Sequence, residues 1–268
     1  MIKNFYVVGS NTSKSLSPDI FNYWFKKYNL SASYGYIEVK ENGFDKKIKS
    51  VLKKADTMGL NVTIPYKAKI LKFLEKIDKH SEKINAVNCL VVKNSKTGIN
   101  TDWRGYEKTL PKNLKKKGAN VIILGYGGAS KAIHYSFSRM GHKEVRVFNR
   151  RQKKLKFLAK TKFSQSYNTI NKYLDNCDLL INTTPINPLN AQQTKLVKKK
   201  TVVSDIVYMP KNTIFLNQFK KNKKIYGIEM LLEQASLCFD AWFGFTPIKD
   251  KKLYQALNKK IKWPLLWA

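Results

Sequence analysis

Short apolar blocks recur along this chain, separated by segments in which apolar residues return every three or four positions. Blocks at 4–8, 34–39, 59–64 and 88–92 read as strands, the third closed by Pro65. Between them, Pro18 opens a helix with Ser17 as its N-cap and Ile20, Phe21, Trp24, Phe25 and Tyr28 on its apolar face. A second helix carries Phe44, Ile48, Val51 and Leu52 at helical spacing, and shorter helical pieces are expected at 67–74 and 78–84. The order of the first part is therefore βαβαβαβ.

A long helical pattern at 103–117 ends in a lysine run and Gly118, which suits a boundary between domains. From Ala119 onward, strands at 121–124, 144–148, 179–183, 201–207 and 224–227 alternate with helices at 130–140, 152–160 and 214–221, with a weak segment near Ser164. Alternation at this spacing implies parallel strands joined by crossover helices, a doubly wound sheet. Helical blocks at 229–243 and 250–260 follow without a further strand, and they are expected to fold back on the first part. The expected organisation is α/β in two domains, 1–102 with 233–268, and 103–232. No internal repeat or low-complexity linker is evident.

Composition changes this picture in one respect. Apolar residues make up 43% and aromatics 12% of 268 residues, a globular balance, but the net charge is +33. Charge of that size suggests a nucleic-acid or membrane partner. Yet only five of the 51 basic residues are arginines, and the lysines are spread over nearly every segment. Arginine is the usual bidentate reader of phosphates and base edges, so this surface reads as solvated lysine without a specific nucleic-acid partner. No apolar run reaches the roughly 18 residues that span a bilayer, and the N-terminal apolar stretch is too short for a secretion signal. The expectation is a soluble, cytoplasmic protein with no membrane partner. Cys89, Cys177 and Cys238 are scattered and form no C-x-x-C pair, so neither a disulfide nor a metal site is expected.

The chemistry begins at residues 120–131, where Val121 to Leu124 lead into Gly125, Gly127, Gly128, Ala129 and Ser130 and then into a helical pattern. A glycine turn between strand and helix lets an anion approach the backbone, where unpaired N–H groups and the helix dipole face it. This is the dinucleotide pattern, with Ser130 where a third small residue stands. At the next strand end an NAD site carries an acidic residue for the adenosine ribose. Here the residues are Asn149, Arg150 and Arg151, with Lys153 and Lys154 close by, a set suited to the 2′-phosphate of NADP. In the first part, Ser15 and Ser17 precede a helix, Asn61, Thr63 and Lys67 bracket a strand end where side chains face a cleft, and Asn88 and Asp102 follow short loops.

The ordered motifs S-L-S-P-x-x-x-N at 15–22, N-V-T-I-P-Y-K at 61–67, A-V-N at 86–88, N-T-D at 100–102, G-Y-G-G-A-S at 125–130, N-R at 149–150, N-T-T-P at 182–185, D-I-V-Y at 205–208 and G-I-E-M-L-L-E-Q at 227–234 run nearly end to end. On them the chain resembles the shikimate dehydrogenase family, whose members reduce 3-dehydroshikimate with NADPH. The resemblance implies that Ser15 and Ser17 hold the substrate carboxylate, and that Thr63, Asn88, Tyr208 and Gln234 bind the substrate's polar groups. It implies Lys67 and Asp102 as the paired catalytic groups. Gly125, Gly127, Gly128, Ala129, Ser130, Asn149, Arg150, Arg151, Lys154, Thr183, Ile206 and Gly227 are implied as the NADP contacts. Lysine, with an ordinary pKa of about 10.4, can donate the proton that the substrate oxygen needs in reduction, while the aspartate orients it.

Five positions depart from the family pattern. Phe21 stands where histidine is usual, Tyr126 for alanine, Arg151 for threonine, and Asn187 and Glu229 for glycines. A quinate/shikimate dehydrogenase with NAD or mixed cofactor use, and a noncatalytic NADP- or polyanion-binding protein, are the alternative readings. A monomer or homodimer is expected.

Overall fold

A computed structural model describes residues 2–149, 164, 165 and 167–261. In chain order the elements are β1 (Lys3–Gly9), α1 (Ser17–Lys27), β2 (Ala32–Glu38), α2 (Phe44–Leu52), β3 (Thr57–Val62), β4 (Lys76–Ile77), α3 (Lys79–Ile84), β5 (Cys89–Val92) and β6 (Lys96–Ile99). They continue as α4 (Asp102–Thr109), α5 (Lys112–Lys115), β7 (Val121–Leu124), α6 (Gly128–Arg139), β8 (Val145–Phe148), β9 (Ser164–Gln165), α7 (Asn171–Leu174) and β10 (Leu179–Asn182). The remainder is α8 (Ala191–Leu196), β11 (Val202–Asp205), α9 (Ile214–Asn217), β12 (Lys224–Tyr226), α10 (Gly227–Phe243) and α11 (Lys251–Ile261). Two compact units result, Met1–Asp102 with Gln234–Ala268, and Trp103–Glu233. The expected helix at 152–160 lies outside the described residues. No helix among those described is long and apolar enough to cross a membrane.

In the first unit the sheet order is β2-β1-β3-β5-β6-β4. β1 pairs in parallel with β2 and β3, but β5 runs antiparallel to both β3 and β6. Simple βαβ alternation does not extend to this edge. The loop between β5 and β6 is only residues 93–95, too short for the crossover that a parallel neighbour requires. α1 begins at Ser17 with Leu16 as N-cap, and no side chain caps it, so the expectation of a Ser17 cap is corrected. Its apolar face is buried as the spacing requires, with Ile20, Phe21 and Trp24 all at 0% exposure. Phe21 stacks on Tyr34 at a centroid distance of 4.4 Å, which gives the departure from histidine a packing role. The α10 residues of this unit lie on the same face: Trp242 meets Phe5 at 4.7 Å, and Phe239 meets Trp24 at 5.5 Å. Gly59 is required there, because a Cβ would stand 2.4 Å from Trp242 Nε1.

In the second unit the order β12-β11-β10-β7-β8-β9 is parallel throughout. The chain winds outward from β7 to one edge and then from β10 to the other, so the direction reverses between those two strands. β7, β10 and β11 are buried at every position, the signature of a sheet covered on both faces. Alternate residues feed two cores: Val121, Ile123 and Ile181 join Tyr106 and Phe137 on one side, and Ile122, Leu124 and Leu180 join Phe148 and Phe215 on the other. The single helix expected at 103–117 is broken into α4 and α5. Pro111 is the cause, since it lacks an N–H and disfavours helical backbone in the residue before it.

Candidate active site

The first unit gathers its polar groups at the end of β3, at the starts of β5 and α4, and along α10. Lys67 follows the turn that closes β3. That turn is anchored by buried Tyr66, which stacks on Phe44 at 4.0 Å and donates its hydroxyl to the Val39 carbonyl at 2.6 Å. The Lys67 carbonyl accepts the Val87 N–H at 2.8 Å, fixing the residue against the strand entry. α3, capped by Asp78, ends at Asn85 in the left-handed conformation (φ 53°), and this turn delivers Asn88 to the start of β5. Asp102 opens α4, with its N–H held by Asn100 Oδ1 at 3.0 Å.

Lys67 Nζ lies 2.5 Å from Asp102 Oδ2. The other carboxylate oxygen, Oδ1, accepts Asn88 Nδ2 at 2.9 Å, and the same amide reaches Gln234 Oε1 at 3.1 Å and Thr101 Oγ1 at 2.9 Å. Asn88 Oδ1 accepts the Thr101 N–H at 2.7 Å, which settles the amide's orientation and directs its N–H₂ at the aspartate. Asn61, expected to face a cleft, is instead 6% exposed. It accepts the Tyr34 hydroxyl and donates to the Asn88 carbonyl and to Cys238 Sγ, a tether beneath the cluster.

The hydroxyls of Ser15, Ser17 and Thr63 occupy loops of the same unit. Glu38 holds the first loop by accepting from Thr12 N, Ser13 N and Ser13 Oγ, and the Ser13 and Thr12 bonds keep its carboxyl below the ordinary range. Ser15 Oγ accepts the Ser17 N–H at 3.2 Å. The Ser17 and Thr63 hydroxyls donate to no protein group among the described residues, although Ser17 is only 4% exposed. Thr63 packs against Gly9, where a Cβ would stand 2.4 Å from its methyl. Gly9 is a packing partner of this loop that motif reading passed over.

In the second unit the glycine turn has the expected form. Gly125 sits at φ +102°, with its N–H on the Phe148 carbonyl at 2.7 Å and its carbonyl accepting Ser130 Oγ at 2.8 Å. Gly127 is the N-cap of α6, and the space where its Cβ would stand is open to 4 Å. Gly128 and Ala129 form the first turn. Tyr126 leans onto the apolar cluster of Tyr106 and Ile133, with Lys131 Nζ 5.7 Å from its ring centre, and burial raises its phenol pKa. The ring is thus partly buried packing. Thr183 ties β10 to β7 through the Leu124 carbonyl at 2.7 Å, and a Cβ on Gly125 would meet its hydroxyl at 2.7 Å. Gly227 is required by backbone: a Cβ would lie 2.4 Å from the Ile206 carbonyl oxygen.

Two further residues organise the strand ends. Asn182 accepts from Thr184 and donates to Asp205, and Asp205 accepts from Thr213 Oγ1 at 2.6 Å and Val207 N at 3.0 Å. Burial pushes the Asp205 carboxyl up to about 6, against those bonds. Asn149 directly follows β8, and Tyr208 lies on the loop after β11, in the unit that does not contain Lys67. Arg150, Arg151 and Lys154 lie outside the described residues.

A doubly wound parallel sheet with a glycine turn at a helix N-terminus, together with a second α/β unit holding a lysine–aspartate pair, defines the dinucleotide-binding α/β class. The model of the shikimate dehydrogenase substrate binding domain matches residues 7–90, and that of shikimate/quinate 5-dehydrogenase matches residues 107–214. The shikimate dehydrogenase (NADP(+)) of Nitrosopumilus maritimus is 36% identical over 97% of this chain and 98% of its own, and that of Pyrococcus furiosus is 36% identical over 90% of each. The crystal structure of shikimate 5-dehydrogenase from Thermus thermophilus in complex with NADP(H) and shikimate superposes with a TM-score of 0.83 at 26% identity, covering 96% of this chain and 99% of that one. The chain belongs to the shikimate dehydrogenase family.

Proposed function

We propose that this protein is an NADP-dependent shikimate dehydrogenase, interconverting 3-dehydroshikimate and shikimate. The observation that carries the reading is the Lys67–Asp102 pair bound to Asn88, whose amide also donates to Gln234, in a chain 36% identical over nearly its whole length to a shikimate dehydrogenase (NADP(+)). In this proposal 1–102 with 233–268 is the substrate domain and 103–232 the NADP domain. Ser15 and Ser17 bind the substrate carboxylate, and Thr63, Asn88, Tyr208 and Gln234 bind its hydroxyls and carboxylate.

The second unit suits a dinucleotide: the N-cap Gly127 opens onto free space, and N–H groups of the first turn of α6 point out of the helix end. Gly125, Gly127, Gly128, Ala129 and Ser130 would hold the pyrophosphate, and Asn149, Arg150, Arg151 and Lys154 the adenosine 2′-phosphate. Thr183, Ile206 and Gly227 complete the site. NADPH, when bound, supplies the hydride that reduces the carbonyl carbon. Lys67 donates the proton to the oxygen gaining negative charge, and Asp102 orients Lys67 and accepts from the substrate. A cytoplasmic location is part of the proposal, and three free, buried cysteines support it.

The test is oxidation of shikimate or quinate with NADP or NAD, as four assays read by the absorbance of reduced nicotinamide. Shikimate with NADP is expected to be fastest. Faster turnover of quinate with NAD would replace the reading by the quinate one, and no turnover in any assay would leave a binding protein.

A further inference from the structure

Among the described lysines Lys211 alone is buried, at 3% exposure, while the rest stand at least partly in water. Lysine-rich composition explains a lysine surface but not this one. Removing an ammonium group from water is costly unless other groups replace the lost hydration. Two such groups are present. Lys211 Nζ lies 4.3 Å from the centre of the Tyr226 ring, and the Glu229 carboxylate attracts it. Glu229 is the third residue of α10 and also accepts the backbone N–H of Tyr226, the reach-back half of a capping box. It stands where the family pattern has glycine.

Lys211 lies on the 206–213 loop between β11 and α9, which begins at Ile206, whose carbonyl is pressed against Gly227 so closely that no Cβ fits. The 206–211 segment therefore meets the junction of β12 and α10 at both of its ends, by backbone contact with Gly227 at Ile206 and by the Lys211 ammonium over the Tyr226 ring that directly precedes α10. In a doubly wound sheet the half built from β10, β11 and β12 serves the nucleotide that the glycine turn does not, here the nicotinamide half. We propose that Lys211, seated on the Tyr226 ring within the field of Glu229, is a positioning residue that clamps the 206–211 segment to the start of α10 and so sets the nicotinamide end of the NADP site. The inference rests on the reading of Ile206 and Gly227 as cofactor contacts.

The clamp has a protonation limit. Burial pushes Lys211 down to about 8 while Glu229 opposes that shift, and burial raises Glu229 with Glu233 adding to the rise. The other titratable groups facing the pair are Tyr226 and Tyr106, both raised first by burial and then by Glu229. Nicotinamide-end binding should weaken as pH rises through about 8 and the cation is lost.

The test uses the full chain with Lys211→Met, Lys211→Arg, Glu229→Gln and the Met/Gln double variant. Binding of NADPH and of adenosine 2′,5′-bisphosphate is titrated, with steady-state KM and kcat alongside. Lys211→Met and Glu229→Gln are each expected to weaken NADPH about tenfold, with bisphosphate affinity and the KM for shikimate unchanged. The double variant should be no weaker than the worse single one, because both remove one interaction. Lys211→Arg should restore most of the affinity, and Lys211→Met should abolish the loss of NADPH affinity above pH ~8 expected of the parent. NADPH affinity within twofold of the parent in Lys211→Met overturns the clamp. Should that variant not fold, unchanged affinity in Glu229→Gln overturns it equally. Equal weakening of NADPH and bisphosphate would mean general damage to the sheet and also overturns it. A parent chain that binds no NADPH removes the functional reading itself and the clamp with it.

Discussion

Lys67 Nζ and Asp102 Oδ2 stand 2.5 Å apart with side-chain exposures of 12% and 4%. The pair is nearly enclosed, and its second carboxylate oxygen is already bound by Asn88. Lys67→Ala is expected to lower kcat by about a hundredfold or more, the range for a lost acid–base group, with a much smaller change in the KM for shikimate. Steady-state kinetics in the oxidative direction check this. Near-normal turnover would remove Lys67 from the proton step.

Asn88 serves several partners from one side chain. Asn88→Ala leaves the Thr101 N–H without its acceptor and Asp102 Oδ1 without its donor, both buried. The expected cost is about 2–4 kcal/mol of stability, read by urea unfolding, together with a higher KM for shikimate. A variant of unchanged stability would mean that water replaces the amide.

Gly125 has a left-handed φ of +102° and the Thr183 hydroxyl 2.7 Å from its absent Cβ. Gly125→Ala combines backbone strain with a clash. A loss of about 2 kcal/mol or more and weakened NADPH binding are expected, read by thermal unfolding and by titration.

Two aspartates give stability opposite pH dependences. Burial raises the Asp205 carboxyl from 3.8 to about 6, so the folded chain holds this proton more tightly than the unfolded one. Its contribution is complete below about pH 4 and is lost as pH rises through 6, an effect of about 3 kcal/mol.

For Asp250, burial is outweighed by hydrogen bonds from Lys27, Tyr23 and the Leu253 N–H, which bring the carboxyl down to about 2. Its contribution is present above pH 4 and lost as pH falls through 2, and solvent screening around these partly exposed partners holds it to about 1 kcal/mol. Urea titrations across pH should lose the first slope in Asp205→Asn and the second in Asp250→Asn. A slope that survives in the matching variant belongs to another group.

Several elements could be read from residue pattern alone. The apolar runs Val121 to Leu124 and Leu179 to Asn182 are buried on both faces, and unbroken apolar strands separated by helix-period segments are what a parallel sheet demands. The two-residue β4 and the strand β6 had no such signal. Lys96, Thr97 and Gly98 carry no apolar alternation, and their strand exists because Val92, Val91 and Leu90 pair with them. The break at Pro111 was visible in the residues but masked by the helical pattern on either side.

Local chemistry decided where strands end, where glycines turn the chain, and which motifs mark the family, because those features depend on neighbours a few positions away. Folding decided how the polar residues are used. Asn61, expected at a cleft, became a buried tether, and Tyr126 became packing for the nucleotide sheet. Phe21 became a stacking partner of Tyr34, and Lys211, one lysine among dozens, became the buried one among the described residues. Burial comes from segments far apart in sequence, as when residue 238 reaches Asn61 or residue 226 reaches Lys211. Desolvation and pairing follow from those contacts, and with them the charge state of each polar group.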